Sequence, residues 1–290
     1  MQTSPACLPC LKKQAEYTLR LAVSDPEKQR EILAAAENYL ERIDHRLSPP
    51  ENASGMYQLI AHKAQCPDPF NALKQESNTM AVALRERVRE KTAQSPDPLL
   101  AAIKFAIAGN IIDYGAHHDF DIVQTMENCQ RNAFGLDDYI LFRGDLAKAE
   151  NILFLADNCG EIIFDDLLIR ALGKKTTLVV KEGPVINDAT LNDLQSLDIA
   201  WNCRITSNGT ACPGTPLARC SSEFLSLFQR ADLIISKGQG NFETLSETDA
   251  PIYFLLTVKC QVVADHLREM SGVPTCIGQM ILKKQQWGIG

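Results

Sequence analysis

From about residue 136 onward, short apolar runs alternate with longer segments of helical periodicity. The runs Ile152–Ala156, Thr177–Val180, Arg204–Thr206, Leu233–Ser236 and Ile252–Leu256 are predicted strands. The first is apolar without alternation, the pattern of a strand covered on both faces in a parallel sheet. Strands that alternate with helices over this length predict an α/β fold, a three-layer αβα lobe on a mainly parallel sheet.

The residues before it predict helices. Asp25-Pro26 is a start signal, with Asp25 as cap and Pro26 in the first turn, and Ile32, Leu33, Ala36, Tyr39, Leu40 and Ile43 follow at helical spacing. Ser48-Pro49-Pro50 is read as the end of that helix. Leu73, Met80, Leu84 and Val88 mark another. Asp97-Pro98 repeats the start signal before Leu99 to Ile103, and Gly109-Asn110 stops the helix. The expected division is a helical N-terminal lobe, residues 1–135, and an α/β lobe, residues 136–290, with no tandem repeat or low-complexity linker between them.

Composition narrows the function classes. Of 290 residues, 45% are hydrophobic and 22% charged, as in ordinary globular proteins. A net charge of −7 opposes a sequence-independent grip on nucleic acid or acidic membranes, so neither is expected as a partner. No apolar run approaches the roughly 18 residues of a membrane span. Met1 to Pro5 has no charged start followed by an apolar stretch, so a cytoplasmic location is expected. Ten cysteines are then read mostly as reduced, small apolar residues. The oligomeric state is not legible.

Each predicted strand ends in polar or Gly-rich residues. These are Asp157-Asn158-Cys159-Gly160-Glu161, then Lys181 to Asp188, then Ser207-Asn208-Gly209-Thr210, then Lys237-Gly238-Gln239-Gly240-Asn241. In a parallel sheet these ends share one edge, where open α/β sheets place ligands. Asp157, Asn158 and Asp188 offer hard oxygens with few charges, which suits Mg²⁺ or Mn²⁺ with positions left for water and substrate. Lys237 offers a point charge for phosphate, and Gly160 opens a helix whose free N–H groups attract anions. Metal, lysine and amides together make a phosphoryl-transfer set.

Taken singly, each motif has a plainer reading. Asp-Asn-x-Gly is a common strand-to-helix turn, Asn187-Asp188 a helix cap, Asn208-Gly209 a turn dipeptide and Lys237 a solvated charge. Their recurrence at successive strand ends favours a site. Several familiar patterns fail: Gly238 to Glu243 lacks the third glycine of a dinucleotide fingerprint, Leu168 to Lys175 lacks the leading glycine of a P-loop, and no HExxH or GxSxG occurs.

Asp157 to Asp165, Gly183 to Thr190, Ser207 to Thr210 and Ser236 to Glu243 together resemble the DUF89 family, the ARMT1-like damage-control phosphatases. Ala108 to Gly115 and Cys7-Leu8-Pro9-Cys10 extend the likeness over almost the whole chain, the CxxC marking the prokaryotic branch. The resemblance implies metal-dependent hydrolysis of small phosphorylated metabolites, such as sugar phosphates or phosphopantetheine-like damage products, with Mn²⁺, Co²⁺, Ni²⁺ or Mg²⁺. By position it implies Asp157, Asn158 and Asp188 as metal ligands. It makes Lys237 and Asn241 contacts to phosphate or substrate, and it brings Asn110 and Asp113 to the cleft. Glu161, Asn208 and Gly209 complete the expected substrate side, and Asp157, Asn158 and Lys237 the catalytic one.

Two alternatives stay open. Cys7 and Cys10 could bind Zn²⁺, with His62 and Cys66 as further ligands, or act in redox chemistry, making the protein a non-enzymatic binding module. An S-adenosylmethionine-dependent transferase would use the same α/β frame, but the first strand is followed by Gly160 alone rather than a Gly-rich loop. His117-His118 is read as part of a polar loop.

Overall fold

Proline in the first turn opens several of the N-terminal helices, where its missing N–H removes no hydrogen bond. In a computed structural model, which describes residues 1–110 and 130–285, these are α1 (Leu8–Ala22), α2 (Pro26–Leu40), α3 (Pro49–Ala64), α4 (Asn71–Gln94) and α5 (Pro98–Ala108). Asp25 accepts from the Glu27 N–H at 3.1 Å, and Asp97 from the Leu100 N–H at 3.1 Å. Ser48-Pro49-Pro50 proves to be a start rather than an end. α2 stops at Leu40, and Ser48 forms a capping box with Glu51 at the head of α3.

The α/β part contains β1 (Leu136–Asp137), α6 (Tyr139–Lys148), β2 (Asn151–Leu155), α7 (Glu161–Leu172), β3 (Lys175–Val180), α8 (Leu191–Gln195) and β4 (Arg204–Ser207). It continues with α9 (Ser222–Arg230), β5 (Leu233–Lys237), α10 (Gln239–Leu245), β6 (Ile252–Thr257), α11 (Gln261–Ser271) and β7 (Met280–Lys284). The strands form one sheet in the order β1-β7-β6-β5-β2-β3-β4, parallel except for the antiparallel β6–β7 pair. All five predicted strands are present. The short β1 and the closing β7 were not foreseen: β1 has only two residues, too few for a pattern, and no helix follows β7 among the described residues.

The core explains the unbroken apolar runs. On one sheet face, Phe154 and Leu178 pack with Ile103, Phe105 and Ile107 of α5 and Ile163 and Phe164 of α7. On the other, Leu153, Ile234 and Phe254 meet Phe224 of α9, Phe242 of α10 and Val263 of α11. Each such side chain, fully buried, contributes about 1.5–3 kcal/mol. The helical segment itself is split: α1, α2 and α3 have a core of their own around Ile32, Met56 and Ile60, while α4 and α5 cover the sheet.

This order places the site. β3 and β4 succeed β2 on one side of it, whereas β5 and β6 lie on the other. The side on which successive strands are added thus reverses at β2, and the crevice outside its carboxyl end is where such sheets hold ligands. Asp157 stands there.

Candidate functional site

Two loops are stitched together at the end of β2. The Cys159 N–H donates to the Asn187 carbonyl and the Ala189 N–H to the Asp157 carbonyl, each at 2.9 Å, so Asn158 and Asp188 face each other across an antiparallel bridge. Asp157, Asn158 and Asp188 are thereby gathered from segments thirty residues apart in sequence. The second loop is strained. Ile186, a β-branched residue, is held at φ 38°, a conformation such residues rarely adopt outside strained, functional segments.

Two glycines let the backbone close around the acids. Gly160, at φ 74°, caps α7 against α4, and its N–H donates to the Asn78 side chain at 2.7 Å. Gly238, at φ 78°, lies so near Asp157 that an added Cβ would stand 1.9 Å from its Oδ2.

The carboxylates differ in what surrounds them. Asp157 Oδ2 accepts from the amides of Asn110 at 3.2 Å and Asn158 at 2.9 Å, and both amides also reach Glu161 Oε2. Burial, with the Glu161 charge nearby, raises Asp157 to about 6. Asp188 is fully buried, yet neither of its oxygens has a hydrogen-bond partner among the described residues; Lys181 Nζ forms an ion pair with Oδ2 at 3.5 Å. Burial lifts it to about 8, the Lys181 charge offsetting part of the rise.

Lys237 occupies another place than the sequence suggested. Its ammonium lies beneath the acids, fully buried, and donates to the Ala106 carbonyl at 3.0 Å, to Asp165 Oδ1 at 2.7 Å and to Glu161 Oε1. Those bonds use its three donors, leaving none for a phosphate. Burial alone would lower its pKa, but the charges of Asp165 and Glu161 outweigh that and raise it.

Asn241 is likewise a strut: it donates to the carbonyls of Ala156 and Lys237 and accepts from Thr215 and Lys181. Asn208 turns its own loop by accepting from the Thr210 N–H, and Gly209 follows it at φ 78°. Neither Asn208, Gly209 nor Asn241 lines the cavity beside Asp157. Asn110 reaches the acids from the end of α5, whereas Asp113 lies outside the described residues, as do His117 and His118.

That cavity, about 330 Å³, opens between the sheet edge and the starts of α1 and α3. Asp157, Asn158 and Asn187 form its floor, and Lys259, Glu243 and Gln239 one flank. Lys259, just past β6, was missed in the sequence, although it follows a strand end as the predicted site residues do. Its charge acts on Asp157. Lys181 and Asp165 were also given no role; nothing in their local sequence separates a buried partner from a surface charge.

Cation ligands can be tested against this arrangement. Among the described residues no three His, Cys, Asp or Glu side chains are set to hold a metal. Asp157 and Asp188 supply two carboxylates, and Asn158, whose amide nitrogen faces Asp157 and Glu161, turns its carbonyl oxygen the other way. Two carboxylates and an amide oxygen, with one acid buried and unbonded, fit a hard divalent cation that keeps positions for water and phosphate. The Zn²⁺ set is not assembled: Cys7 and Cys10 line the cavity by the start of α3, while His62 lies about 18 Å along that helix from Pro50.

Comparison with known proteins points in one direction. The family described as the damage-control phosphatase ARMT1-like domain matches residues 3–272. A protein named damage-control phosphatase from Pyrococcus horikoshii is 34% identical over 96% of this chain and 98% of its own length. A namesake from Archaeoglobus fulgidus is 30% identical over 91% of this chain and 94% of its own. The crystal structure of a DUF89 family protein from P. horikoshii superposes with a TM-score of 0.89 at 32% identity, covering 99% of this chain and 100% of the other.

Proposed function

Since the chain belongs to the damage-control phosphatase ARMT1-like family, we propose that it hydrolyses small phosphomonoesters at Asp157, with a divalent cation held by Asp157, Asn158 and Asp188. The observation that carries the proposal is Asp188, a buried carboxylate that accepts no hydrogen bond among the described residues, next to a cavity floored by Asp157 and Asn158. A buried acid compensated by a single lysine at 3.5 Å is costly in a protein that never binds a cation and natural in one that does.

Bound there, Mn²⁺, Co²⁺, Ni²⁺ or Mg²⁺ would neutralise phosphoryl oxygens and activate a water nucleophile. The chain's own residues do the rest. Asn110 and Asn158 fix Asp157 through its Oδ2, which leaves Oδ1 as the oxygen no donor engages among the described residues. Lys259 adds a cationic side chain on the cavity flank for the phosphate dianion. Lys237 holds Glu161 and Asp165 in place and with them the α7 start, acting on the substrate only through those residues.

Phosphate release from a panel of phosphomonoesters, with and without Mn²⁺, for wild type and Asp157→Ala, tests the proposal. Metal-requiring release that the substitution abolishes is expected. Release that persists in Asp157→Ala would place the chemistry elsewhere.

A further inference from the structure

Apart from Asp157, Glu243 and Lys259, the described residues that line the cavity carry no charge. Leu11, Pro50, Ala53 and Val262 contribute apolar surface to one wall, and three thiols, Cys7, Cys10 and Cys260, stand among them. Burial pushes the Cys7 and Cys10 thiols up from their ordinary value, so at neutral pH they present S–H groups rather than thiolates. A neutral thiol counts as a small apolar group.

The polar side chains along that wall and the adjoining flank are paired to one another. Tyr57 donates to Gln14 Oε1 at 2.7 Å, and Gln14 donates to the Cys10 sulfur at 3.6 Å. Gln239 donates to Glu243 at 2.9 Å and to the Cys260 sulfur at 3.7 Å, and accepts from the Lys259 N–H at 3.0 Å. The remaining amides, Asn158 and Asn187, adjoin Asp157 and Asp188 at the phosphate end. A sugar placed against this wall would bury several hydroxyls with few partners, each a loss relative to water. A hydrocarbon or thioether arm would lose nothing and gain the area it covers.

We propose that this site selects phosphomonoesters whose organic part is uncharged and poor in hydroxyls, bound along the thiol-lined wall of α1, α3 and α11, in preference to sugar phosphates. The location of the phosphate end rests on the phosphatase reading above; the character of the wall does not.

Calorimetry with ethyl-, butyl- and hexylphosphonate, in buffer containing Mn²⁺, separates the two. Affinity is expected to rise about fourfold for each buried methylene, and hexylphosphonate to bind at least about tenfold more tightly than the phosphonate analogue of a hexose phosphate. Adding polar groups with Cys10→Ser and Val262→Thr should flatten the series by about threefold or more. A series that is flat in the wild type, or a sugar analogue bound as tightly as hexylphosphonate, overturns the proposal. A rising series with no phosphate released from hexyl phosphate supports the wall assignment and removes the phosphatase reading instead. Phosphate release together with a flat series does the reverse.

Discussion

Glu161 and Asp165 sit as deep in the protein as Asp157 and Asp188, and what separates the two pairs is the cation beside them. Lys237 donates directly to both Glu161 and Asp165. Among the described residues Asp188 makes its ion pair with Lys181, at 3.5 Å, and that lysine is already bonded to the Gly214 carbonyl at 2.7 Å and to Asn241. A set of buried charges whose cation donates directly to each carboxylate makes a support, even with Asp165 Oδ2 left without a donor among the described residues. An undercompensated set attracts a ligand of opposite charge. Burial by itself distinguishes nothing here.

The sharpest way to break this comparison is to remove the cation of the compensated set. Lys237→Met strands Glu161 and Asp165, and should lower the free energy of unfolding by about 3–5 kcal/mol in urea titrations. Unchanged stability with weakened phosphate binding would return Lys237 to the phosphate role suggested by the sequence. The undercompensated set should respond to added cation instead. Mn²⁺ at a hundredfold excess over its dissociation constant should stabilise the wild type by about 2.7 kcal/mol in thermal unfolding, and Asp188→Asn by much less. An equal gain in both would move the cation site elsewhere.

Glu243 is an intermediate case, a buried acid whose partner is the neutral Gln239 amide. Burial raises it to about 7, above the 4.5 of a free glutamate. Between those values the folded protein holds a proton that the unfolded chain has released, so stability falls as pH rises through the window and the loss is complete above it. Glu243→Gln should reduce the drop in unfolding free energy between about pH 4 and pH 8 by about 1–3 kcal/mol; an unchanged drop would assign it to other acids. Lys259, being exposed, should have the smallest effect on folding. Lys259→Ala is expected to raise KM for a phosphomonoester about tenfold with the melting temperature unchanged. An unaltered KM would remove Lys259 from the phosphate end.

Legibility followed the reach of the forces involved. The strand at Asn151–Leu155 could be read because from Ile152 on both of its faces are buried and each position is apolar, and Asp25 and Asp97 because a cap acts within three residues. Ser48-Pro49-Pro50 was misread because proline both ends and begins helices, and the Glu51 carboxylate that completes the capping box decides which. At the site, Asp157, Asn158 and Asp188 were picked out as oxygen donors at strand ends. Lys259 lay at such an end too, without an accompanying glycine or acid to draw attention to it.

The sequence by itself determined which segments become strands, that their polar ends share one edge, and which residues offer oxygens there, since these follow from periodicity and from the geometry of a parallel sheet. Only the tertiary structure decided which of the lysines and acids are spent on one another. Lys237 and Lys259 both follow strands, yet one is fully buried between two carboxylates and the other opens onto the cavity. Charge compensation depends on distances of a few ångströms between residues far apart in the chain, 76 positions between Glu161 and Lys237, and no local pattern encodes them.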